Sequence, residues 1–326
     1  MSWKRLQDEG LQSNLRRRSE IVRGIRDFFD SRDFVEVQTP RMIRLAGQEP
    51  YLDPFDTKVT DVHEHTHDAR LITSPEYVCK KLLAAGFEKI YDMGPCFRNK
   101  EAFGGLHNPE FTMLEWYRAH ADYTELMDDI DNLLSALQKS DVACDRFSMR
   151  DLFRMYCDID LNDLLEEESL IGFVTERGYE VSEHDRYEDV FYRVFLREIE
   201  PKLGVDRPCM VYDYPSQMAA LSRLKKDDER YAERVELYID GIEIANGFSE
   251  LIDGEEQRER LLEEQRLRAA LGRSVYDIDD DFVDALSAMK PSAGIALGVD
   301  RLVMALIGTK KIGDVLAFPA AELFNE

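Results

Sequence analysis

The residues between 94 and 118 have types and spacing that suit a ligand-binding surface better than a packed core. Apolar residues run into Arg98, a loop with Gly104 and Gly105 follows, and a second β-prone run begins after Pro109, which predicts two strands joined by a long loop. Alternation puts four side chains of the second strand on one face: Phe111, Met113, Glu115 and Tyr117. Its polar members need partners if they are buried. A ligand with a flat ring, an anion and a cation would supply them.

A second polar set lies in the β-prone run 234–251. Asp240-Gly241 is a strong hairpin signal, so the run predicts two paired strands. The strands contain more polar groups than a buried hairpin needs, namely Glu236, Glu243, Asn246 and Glu250. Carboxylate oxygens are the ligands that magnesium bound to nucleotide phosphates requires. Strict alternation turns Glu243 away from the others, so a bulge near Asn246-Gly247 is needed if all four face one site.

The third set lies in the strand-to-helix segment 293–307. Gly294, Ala296 and Gly298 alternate on one strand face and leave room for a flat ligand, and Arg301 stands where a helix begins. A strand packed closely against a neighbour would explain the small residues equally well. The presence of Arg98 and Arg301 in two such segments favours the ligand.

Several elements must position these groups. Ser13 is expected to cap a helix that ends near Phe29, a strand over 34–40 ends at Pro40, and a helix opens at Pro75. Another helix is expected from about Tyr123 to Gln138. The stretch 141–226 reads as an all-helical insertion with helices over 148–156, 162–177 and 185–203, before strands resume at 211–215.

A hairpin with strands near 53–60 and 70–73 has three histidines at its tip. Alternation would place His63, His65 and His67 on one face, which is a spacing compatible with a metal. The tip has no anchoring apolar residues, so a solvated hairpin is the better interpretation.

Composition limits the class of protein. The 326 residues are 44% hydrophobic and can bury a large core, and no apolar run or amino-terminal signal points to a membrane or to export, so a soluble cytoplasmic protein is expected. Five cysteines without a Cys-x-x-Cys pair favour reduced thiols. The formal charge of -24 opposes tight binding of a polyanion such as tRNA, although the triplet 16–18 is a local basic patch or a solvated helix face.

These motifs together resemble a known family. Phe-Arg-Asn followed by His-Asn-Pro-Glu-Phe-Thr-x-x-Glu-x-Tyr, over about 94–118, resembles motif 2 of class II aminoacyl-tRNA synthetases, specifically the lysyl branch. The helix, strand and Pro40 of about 15–40 resemble motif 1, and about 293–307 resembles motif 3. The resemblance implies an α+β fold with an antiparallel sheet flanked by helices, a helical insertion, and a homodimer formed through motif 1.

The resemblance also implies roles for individual residues. Arg98 and Arg301 would be catalytic, with Arg98 on the α-phosphate and substrate carboxylate, Arg301 and His107 on the γ-phosphate, and Phe111 with Arg301 around adenine. Glu236 and Glu243 would hold magnesium. The residues implied to bind ATP are Arg98, Glu101, His107, Asn108, Phe111, Glu243 and Arg301.

The amino-acid pocket is implied to be acidic. Glu76 and Glu115 suit an α- or β-amino group, and Glu250 with Tyr117 suits a terminal ammonium about one lysine length away. Electrostatics therefore favours lysine or a close isomer. The implied substrate-binding residues are Glu76, Glu115, Tyr117, Asn246, Glu250 and Ala296.

Motif 1 begins almost at the amino terminus, which leaves no room for the anticodon-binding barrel of a lysyl-tRNA synthetase. The chain therefore resembles the elongation factor P lysine ligase family, whose members attach (R)-β-lysine to a lysine side chain of elongation factor P. Ala296 supports this resemblance, because lysyl-tRNA synthetases usually have glycine there. Elongation factor P and (R)-β-lysine or lysine are the implied partners, and stable tRNA binding is not expected.

One departure concerns motif 2, where Lys100 replaces the glutamate of Phe-Arg-Asn-Glu and Glu101 follows. We expect a local bulge in this Gly-rich loop to bring Glu101 into that role. Two alternatives stay open: a catalytically silent regulatory paralogue, and a free-standing enzyme that loads lysine onto tRNA or a small molecule. The first would be expected to lose Arg98, Arg301 or a magnesium carboxylate, and this chain keeps them.

Overall fold

A computed structural model describes residues 3–182 and 185–324. The α-helices of the described residues are α1 (Glu9–Asp30), α2 (Glu76–Ala84), α3 (Tyr123–Gln138), α4 (Met149–Cys157), α5 (Glu167–Glu176), α6 (Tyr187–Val194), α7 (Gly254–Ala270), α8 (Asp280–Leu286), α9 (Val299–Ile307) and α10 (Ala320–Leu323). Short 3-10 turns cover Trp3–Gln7, Leu161–Leu164, Glu200–Lys202, Ser216–Met218 and Ile312–Val315, and a π turn covers Phe195–Ile199.

The strands form two sheets. They are β1 (Val35–Glu36), β2 (Met42–Ile43), β3 (Asp56–Thr60), β4 (Thr66–Leu71), β5 (Lys89–Phe97), β6 (Glu110–Ala119), β7 (Asp145–Ser148), β8 (Cys209–Pro215), β9 (Tyr231–Ile239), β10 (Ile242–Ser249) and β11 (Ser292–Gly298). Within the described residues the larger sheet has eight strands in the order β1-β5-β6-β11-β10-β9-β8-β7, and the smaller one has the order β2-β4-β3. Six central strands pair antiparallel, and β1 and β7 join the two edges in parallel. The expected α+β class with a largely antiparallel sheet is confirmed.

The main core lies between one face of this sheet and helices α1, α3 and α9. Phe29 of α1 stacks on Tyr91 at 4.9 Å between ring centroids and contacts Trp116 at 5.3 Å. Helix α1 is capped by Asp8 rather than by Ser13 as expected, because the Asp8 carboxylate accepts a hydrogen bond from Leu11 N at 2.7 Å. The strand expected over 34–40 is reduced to the two residues of β1.

Strands β5 and β6 confirm the two strands predicted around Arg98, with residues 98–109 as the connecting loop. Helix α3 has the predicted bounds, since Asp122 and Glu125 form a reciprocal capping box at its start. The five cysteines are all buried and free, as expected. Among the described residues, none of the helices has the length and apolar character needed to cross a bilayer.

The hairpin at Asp240-Gly241 is confirmed, and the predicted bulge is present at a different position. Glu243 pairs with Tyr238 and Ala245 pairs with Leu237, so the extra residue is Ile244 rather than one near Asn246. Because one added residue reverses the alternation, Glu243 comes to the same face as Asn246 and Glu250.

The segment expected to be an all-helical insertion has a core of its own but is not wholly helical. Strand β7 lies near its start and pairs with β8, which begins at Cys209 rather than at 211. The helix expected over 148–156 is confirmed as α4, whereas those expected over 162–177 and 185–203 are each divided into shorter helical segments. Their apolar residues, such as Phe153 and Phe191, pack together and against Tyr214 and Tyr238 of the sheet. The insertion therefore covers the β8–β9 end of the sheet.

The histidine hairpin is formed by β3 and β4. His67 lies in β4, but His63 lies in the turn, where Glu64 has a φ of +67°. The expectation that alternation places all three histidines on one strand face is therefore wrong. Within 3–182 and 185–324, no set of three or more His, Cys, Asp or Glu side chains is arranged to bind a metal ion.

Close packing of the central strands gives a prediction about stability. A Cβ at Gly247 would lie 2.5 Å from Ile295 Cβ and 2.8 Å from the carbonyl oxygen of Gly294, so Gly247→Ala should destabilise the protein by about 1–3 kcal/mol. Gly172, exposed on α5, has no atom within 4 Å of that position, and Gly172→Ala should stabilise the fold by roughly 0.5–1 kcal/mol. Urea unfolding of both variants measures the difference, and equal shifts would contradict the packing argument.

Candidate active site

A cavity of about 370 Å³ lies on the face of the sheet opposite the main core. Four neighbouring residues form a row across its floor, because the register pairs Glu236 with Asn246, Asn246 with Ala296, and Ala296 with Glu115. All of these except Glu236 line the cavity. The sheet thus brings together residues from three separate segments of the chain.

The predicted face of β6 lines one wall, with Phe111, Met113, Glu115 and Tyr117 all in the cavity. The Arg98 guanidinium lies over the Phe111 ring at 5.0 Å, and its Nε is buried without a hydrogen-bond partner among the described residues. An arginine on an aromatic face with an unpaired donor suits a ligand that has both a ring and an anion.

Small residues on β11 make room for the polar ones, as the sequence predicts. Gly294, Ala296 and Gly298 line the cavity. A Cβ at Gly294 would lie 2.2 Å from the Tyr117 ring and 2.5 Å from Glu250 Oε1. Glycine is therefore required there for Tyr117 and Glu250 to approach the strand.

The acidic end of the cavity is backed by a buried cation that the sequence analysis missed. Lys80 is fully buried on α2, and its Nζ lies 2.5 Å from Glu76 Oε1 and 2.6 Å from Glu250 Oε2. Glu250 is 1% exposed, and its Oε1 has no hydrogen-bond partner among the described residues. Burial opposes the charge of Lys80, but Glu250 and Glu76 raise its pKa, so it stays protonated.

The carboxylates at the acidic end form two groups. Glu115 accepts hydrogen bonds from Ser74 Oγ at 2.6 Å and from Tyr117 at 2.7 Å, whereas Glu76 and Glu250 converge on Lys80. The assignment of Glu76 with Glu115 to one amino group of a ligand, and of Glu250 with Tyr117 to the other, stays a prediction, and without a ligand Glu76 contacts Glu250's partner Lys80 rather than Glu115. The reason is that Lys80, one helical turn after Glu76, inserts between the two carboxylates.

The opposite end of the cavity has the cations expected around phosphates. Arg301 Nη2 lies 2.9 Å from His107 Nε2, and Arg301 Nη1 lies 3.9 Å from Glu243 Oε2. Burial and then the charge of Arg301 lower the pKa of His107, so the ring is neutral at pH 7 and accepts from the guanidinium. Arg301 and His107 can therefore act on one anion.

In the altered motif 2 loop, Glu101 rather than Lys100 faces the cavity. Lys100 has a φ of +60° and points to Asp53, with 3.1 Å between Nζ and Oδ2, while Glu101 lines the cavity 4.0 Å from His107 Nε2. Asn108 also lines the cavity, but its amide is used locally: it donates to the Glu110 carbonyl and accepts from Ala320 N.

The two carboxylates expected to hold magnesium differ in their availability. Glu243 lines the cavity and its side chain is 40% exposed, so it can reach a cation bound to phosphates. Glu236 is 3% exposed, and its oxygens accept from Arg234 at 2.6 Å, Tyr214 at 2.6 Å and Tyr238 at 2.5 Å. The donor set therefore fits magnesium through Glu243, with Glu236 hydrogen-bonded behind it.

Burial gives the acidic end an unusual protonation state. Burial and then the charge of Glu76 raise the pKa of Glu115 to about 8. Burial also raises the pKa of Glu250, and the charge of Lys80, 2.6 Å away, opposes this shift. Among the described residues Glu115 has no such cation beside it, so it holds a proton at pH 7 and ionises when a cation arrives.

The raised pKa of Glu115 predicts that binding of a diamino acid at pH 7 releases a proton. An ammonium beside Glu115 favours its charged form, so its proton passes to the buffer; at pH above 9 the group is already ionised and the release should disappear. Calorimetry in buffers of different ionisation enthalpy measures the number of protons released for each ligand bound. Glu115→Gln should lower it and Glu110→Gln, at an exposed position of the same strand, should not. Equal heats in all buffers would show that no proton is released, and would contradict the protonated state assigned to Glu115.

Sequence reasoning missed Lys80, Ser74 and Arg234, each of which positions a carboxylate. Only Lys80 had a usable signal, because Glu76 and Lys80 have the i, i+4 spacing of a helical ion pair. Two further cavity residues, Glu49 and Glu264, had no signal in the sequence.

Comparison with known proteins agrees with this arrangement. The family described as tRNA synthetases class II (D, K and N) matches residues 1–322. A protein of Hamiltonella defensa named elongation factor P--(R)-beta-lysine ligase is 39% identical over 94% of this chain and 95% of its own length. Proteins of the same name from Proteus mirabilis and Photorhabdus laumondii are 40% and 41% identical, each over 94% of this chain and 95% and 94% of their own lengths. The chain therefore belongs to the elongation factor P--(R)-β-lysine ligase family of class II tRNA synthetases.

Proposed function

We propose that this protein activates (R)-β-lysine with ATP and transfers it to a lysine side chain of elongation factor P. One observation carries the proposal: among the described residues, a single cavity has an arginine nitrogen without a hydrogen-bond partner at one end, and at the other the acids Glu76, Glu115 and Glu250 with Lys80 as their one paired cation. That polarity matches a substrate with a carboxylate to be activated and ammonium groups to be recognised. The names of the relatives supply the isomer and the acceptor.

Activation requires two anions to meet. Arg98 would bind the substrate carboxylate and the α-phosphate together, so that a carboxylate oxygen attacks the α-phosphorus and pyrophosphate leaves with the electrons of the broken bond. Arg301 and His107 would bind the departing phosphates, and Phe111 would stack on adenine. Mg²⁺ held by Glu243 would neutralise phosphate charge when it is bound with ATP.

The acidic end selects the amino acid. Glu115, which accepts a hydrogen bond from Tyr117, would bind the β-amino group, and Glu250, whose Oε1 has no partner among the described residues, would bind the terminal ammonium. Ala296 lies between Asn246 and Glu115 in the sheet, so its methyl group forms part of the surface on which the substrate chain lies.

Partners and place of action are also proposals. The segment after α1 exposes apolar side chains, with Val35 48% and Met42 45% exposed, which supports a homodimer formed through motif 1. The charge of -24 disfavours stable tRNA binding. Together with a protein acceptor that works in translation, the reduced cysteines support action in the cytoplasm.

An acceptor assay tests the proposed function. Incubation with ATP, magnesium, (R)-β-lysine and elongation factor P should add one β-lysyl mass to the acceptor, and lysine tRNA should not be charged. Arg301→Ala should abolish both this transfer and ATP–pyrophosphate exchange while the circular dichroism spectrum stays unchanged. Stable charging of tRNA, or exchange at wild-type rate in Arg301→Ala, would refute the proposal.

Ala296 predicts selectivity between the lysine isomers. One methyl group in a tight pocket discriminates by about 10- to 200-fold, so Ala296→Gly should raise the activation efficiency for α-lysine more than that for β-lysine. Glu250→Gln should weaken both isomers, because it removes the charge that faces their shared terminal ammonium. Exchange kinetics give kcat/KM for each isomer. An unchanged ratio in Ala296→Gly would show that this methyl group does not distinguish the amino-group position.

A further inference from the structure

Eight carboxylates line the cavity, and two of them have no side-chain partner among the described residues. Six are paired with a cation, a hydroxyl or histidine: Glu76, Glu101, Glu115, Glu243, Glu250 and Asp300. The two without such a partner are Glu49 and Glu264. Both are partly exposed, whereas Glu115 and Glu250 at the amino-acid end are each 1% exposed, so the unpaired pair lies nearer the opening.

The fold places these two residues together although 215 positions separate them. Glu264 lies on α7, and Arg268 follows it one turn later on the same helical face. The buried Arg268 guanidinium donates to the carbonyl oxygens of Glu49 at 2.6 Å and of Leu52 at 2.8 Å, which anchors the Glu49 loop to α7. The juxtaposition is thus built by a fully buried arginine and does not depend on exposed side chains.

The ligand for this pair must be a cation that the amino-acid site does not already bind. The buried Glu250 and Glu115 serve the amino acid deeper in the cavity. Glu49 lines the same cavity as Glu76 and Arg98, so it lies near the place where the activated carbonyl would form. The second substrate of the proposed function brings one further cation to that place, the ammonium of the acceptor lysine.

We propose that Glu49 and Glu264 receive the ammonium group of the acceptor lysine at the opening of the cavity and remove its protons. This inference rests on the proposed function and names the groups that perform its second half-reaction. Two carboxylates suit the reaction, because a lysine ammonium has three protons and the nitrogen of the amide product keeps one.

Two bases account for all the protons that are lost when the amide forms. One carboxylate takes a proton from the ammonium, and the lone pair that is freed attacks the carbonyl carbon of the aminoacyl-adenylate. The carbon–nitrogen bond forms, the carbon–oxygen bond to phosphate breaks, and AMP leaves with that electron pair. The other carboxylate takes the second proton from nitrogen, which leaves a neutral amide.

The surroundings make both groups better bases than ordinary carboxylates. Burial and then the charge of Glu49 raise the pKa of Glu264 to about 8; Glu76 and Glu188 act in the same direction, and Arg260 opposes them.

Glu49 has a similar environment. Burial and then the charge of Glu76 raise its pKa, against the influence of its own backbone N–H, Arg98 and Arg268. A base whose pKa lies near the working pH is the most effective in proton transfer. An arriving ammonium favours the ionised form that accepts the proton.

Separate measurement of the two half-reactions tests the inference. Exchange kinetics report activation, and single-turnover transfer from the enzyme-bound adenylate to elongation factor P reports the second step. Glu264→Gln and Glu49→Gln should each slow transfer at least about tenfold more than they slow exchange. Hydroxylamine is uncharged at neutral pH and needs no base to capture the adenylate. In both variants its capture rate should therefore fall only as much as the exchange rate, not as much as the transfer rate. The matched control is Glu263→Gln on the same helix, whose exposed carboxylate pairs with Arg266, and it should change none of these rates.

The pH profile gives a readout that a structural role would not change. Wild-type transfer should rise with pH and level off above about pH 8, whereas in Glu264→Gln it should continue to rise toward the pKa of a free lysine ammonium, about 10.4. A rise in KM for (R)-β-lysine in exchange that matches the loss of transfer would assign the pair to the amino-acid pocket and overturn the inference. Transfer at wild-type rate in both variants would also overturn it. A wild-type protein that modifies no lysine amine would instead refute the proposed function.

Discussion

The active-site cavity depends on an ammonium that is fully buried between two carboxylates. Lys80 Nζ lies within 2.6 Å of both Glu76 and Glu250, and its side chain has no exposure to solvent. Charges taken out of water are costly unless they are paired, so one lysine allows two acids to stand in an otherwise apolar interior. Because the acids outnumber this cation, the acidic end is electrostatically complete only with a cationic ligand.

The same principle explains the division of the cavity into two ends. Arg98 and Arg301 face one end, where Glu243 compensates their charge only in part and His107 is neutral, and the acids lie at the other end. The protein as a whole has a formal charge of -24, so the arginines form a local cationic site in an acidic molecule. A small anion can reach such a site, whereas a long polyanion would meet the surrounding negative charge.

Backbone geometry decides which carboxylates can take part. The bulge at Ile244 turns Glu243 into the cavity, whereas Glu236, which pairs with Asn246, lies at the end of the same row and is hydrogen-bonded to Arg234 and two tyrosines. Two acids seven residues apart on adjacent strands therefore have different environments. One is available to a ligand, and the other holds the strand in place.

The amino-acid sequence by itself determined the elements and most of the residues in the cavity. Alternation placed the side chains of β6 and β11 correctly, turn chemistry placed the hairpin at Asp240-Gly241, and helical periodicity placed α3. Only the tertiary structure decided how the charges are partnered. Lys80 joins Glu76 to Glu250, and Arg268 brings Glu49 beside α7, across separations of more than 150 residues. Propensity and periodicity act between neighbours in the chain, whereas the partner of a buried charge is chosen by three-dimensional packing, which a linear pattern does not contain.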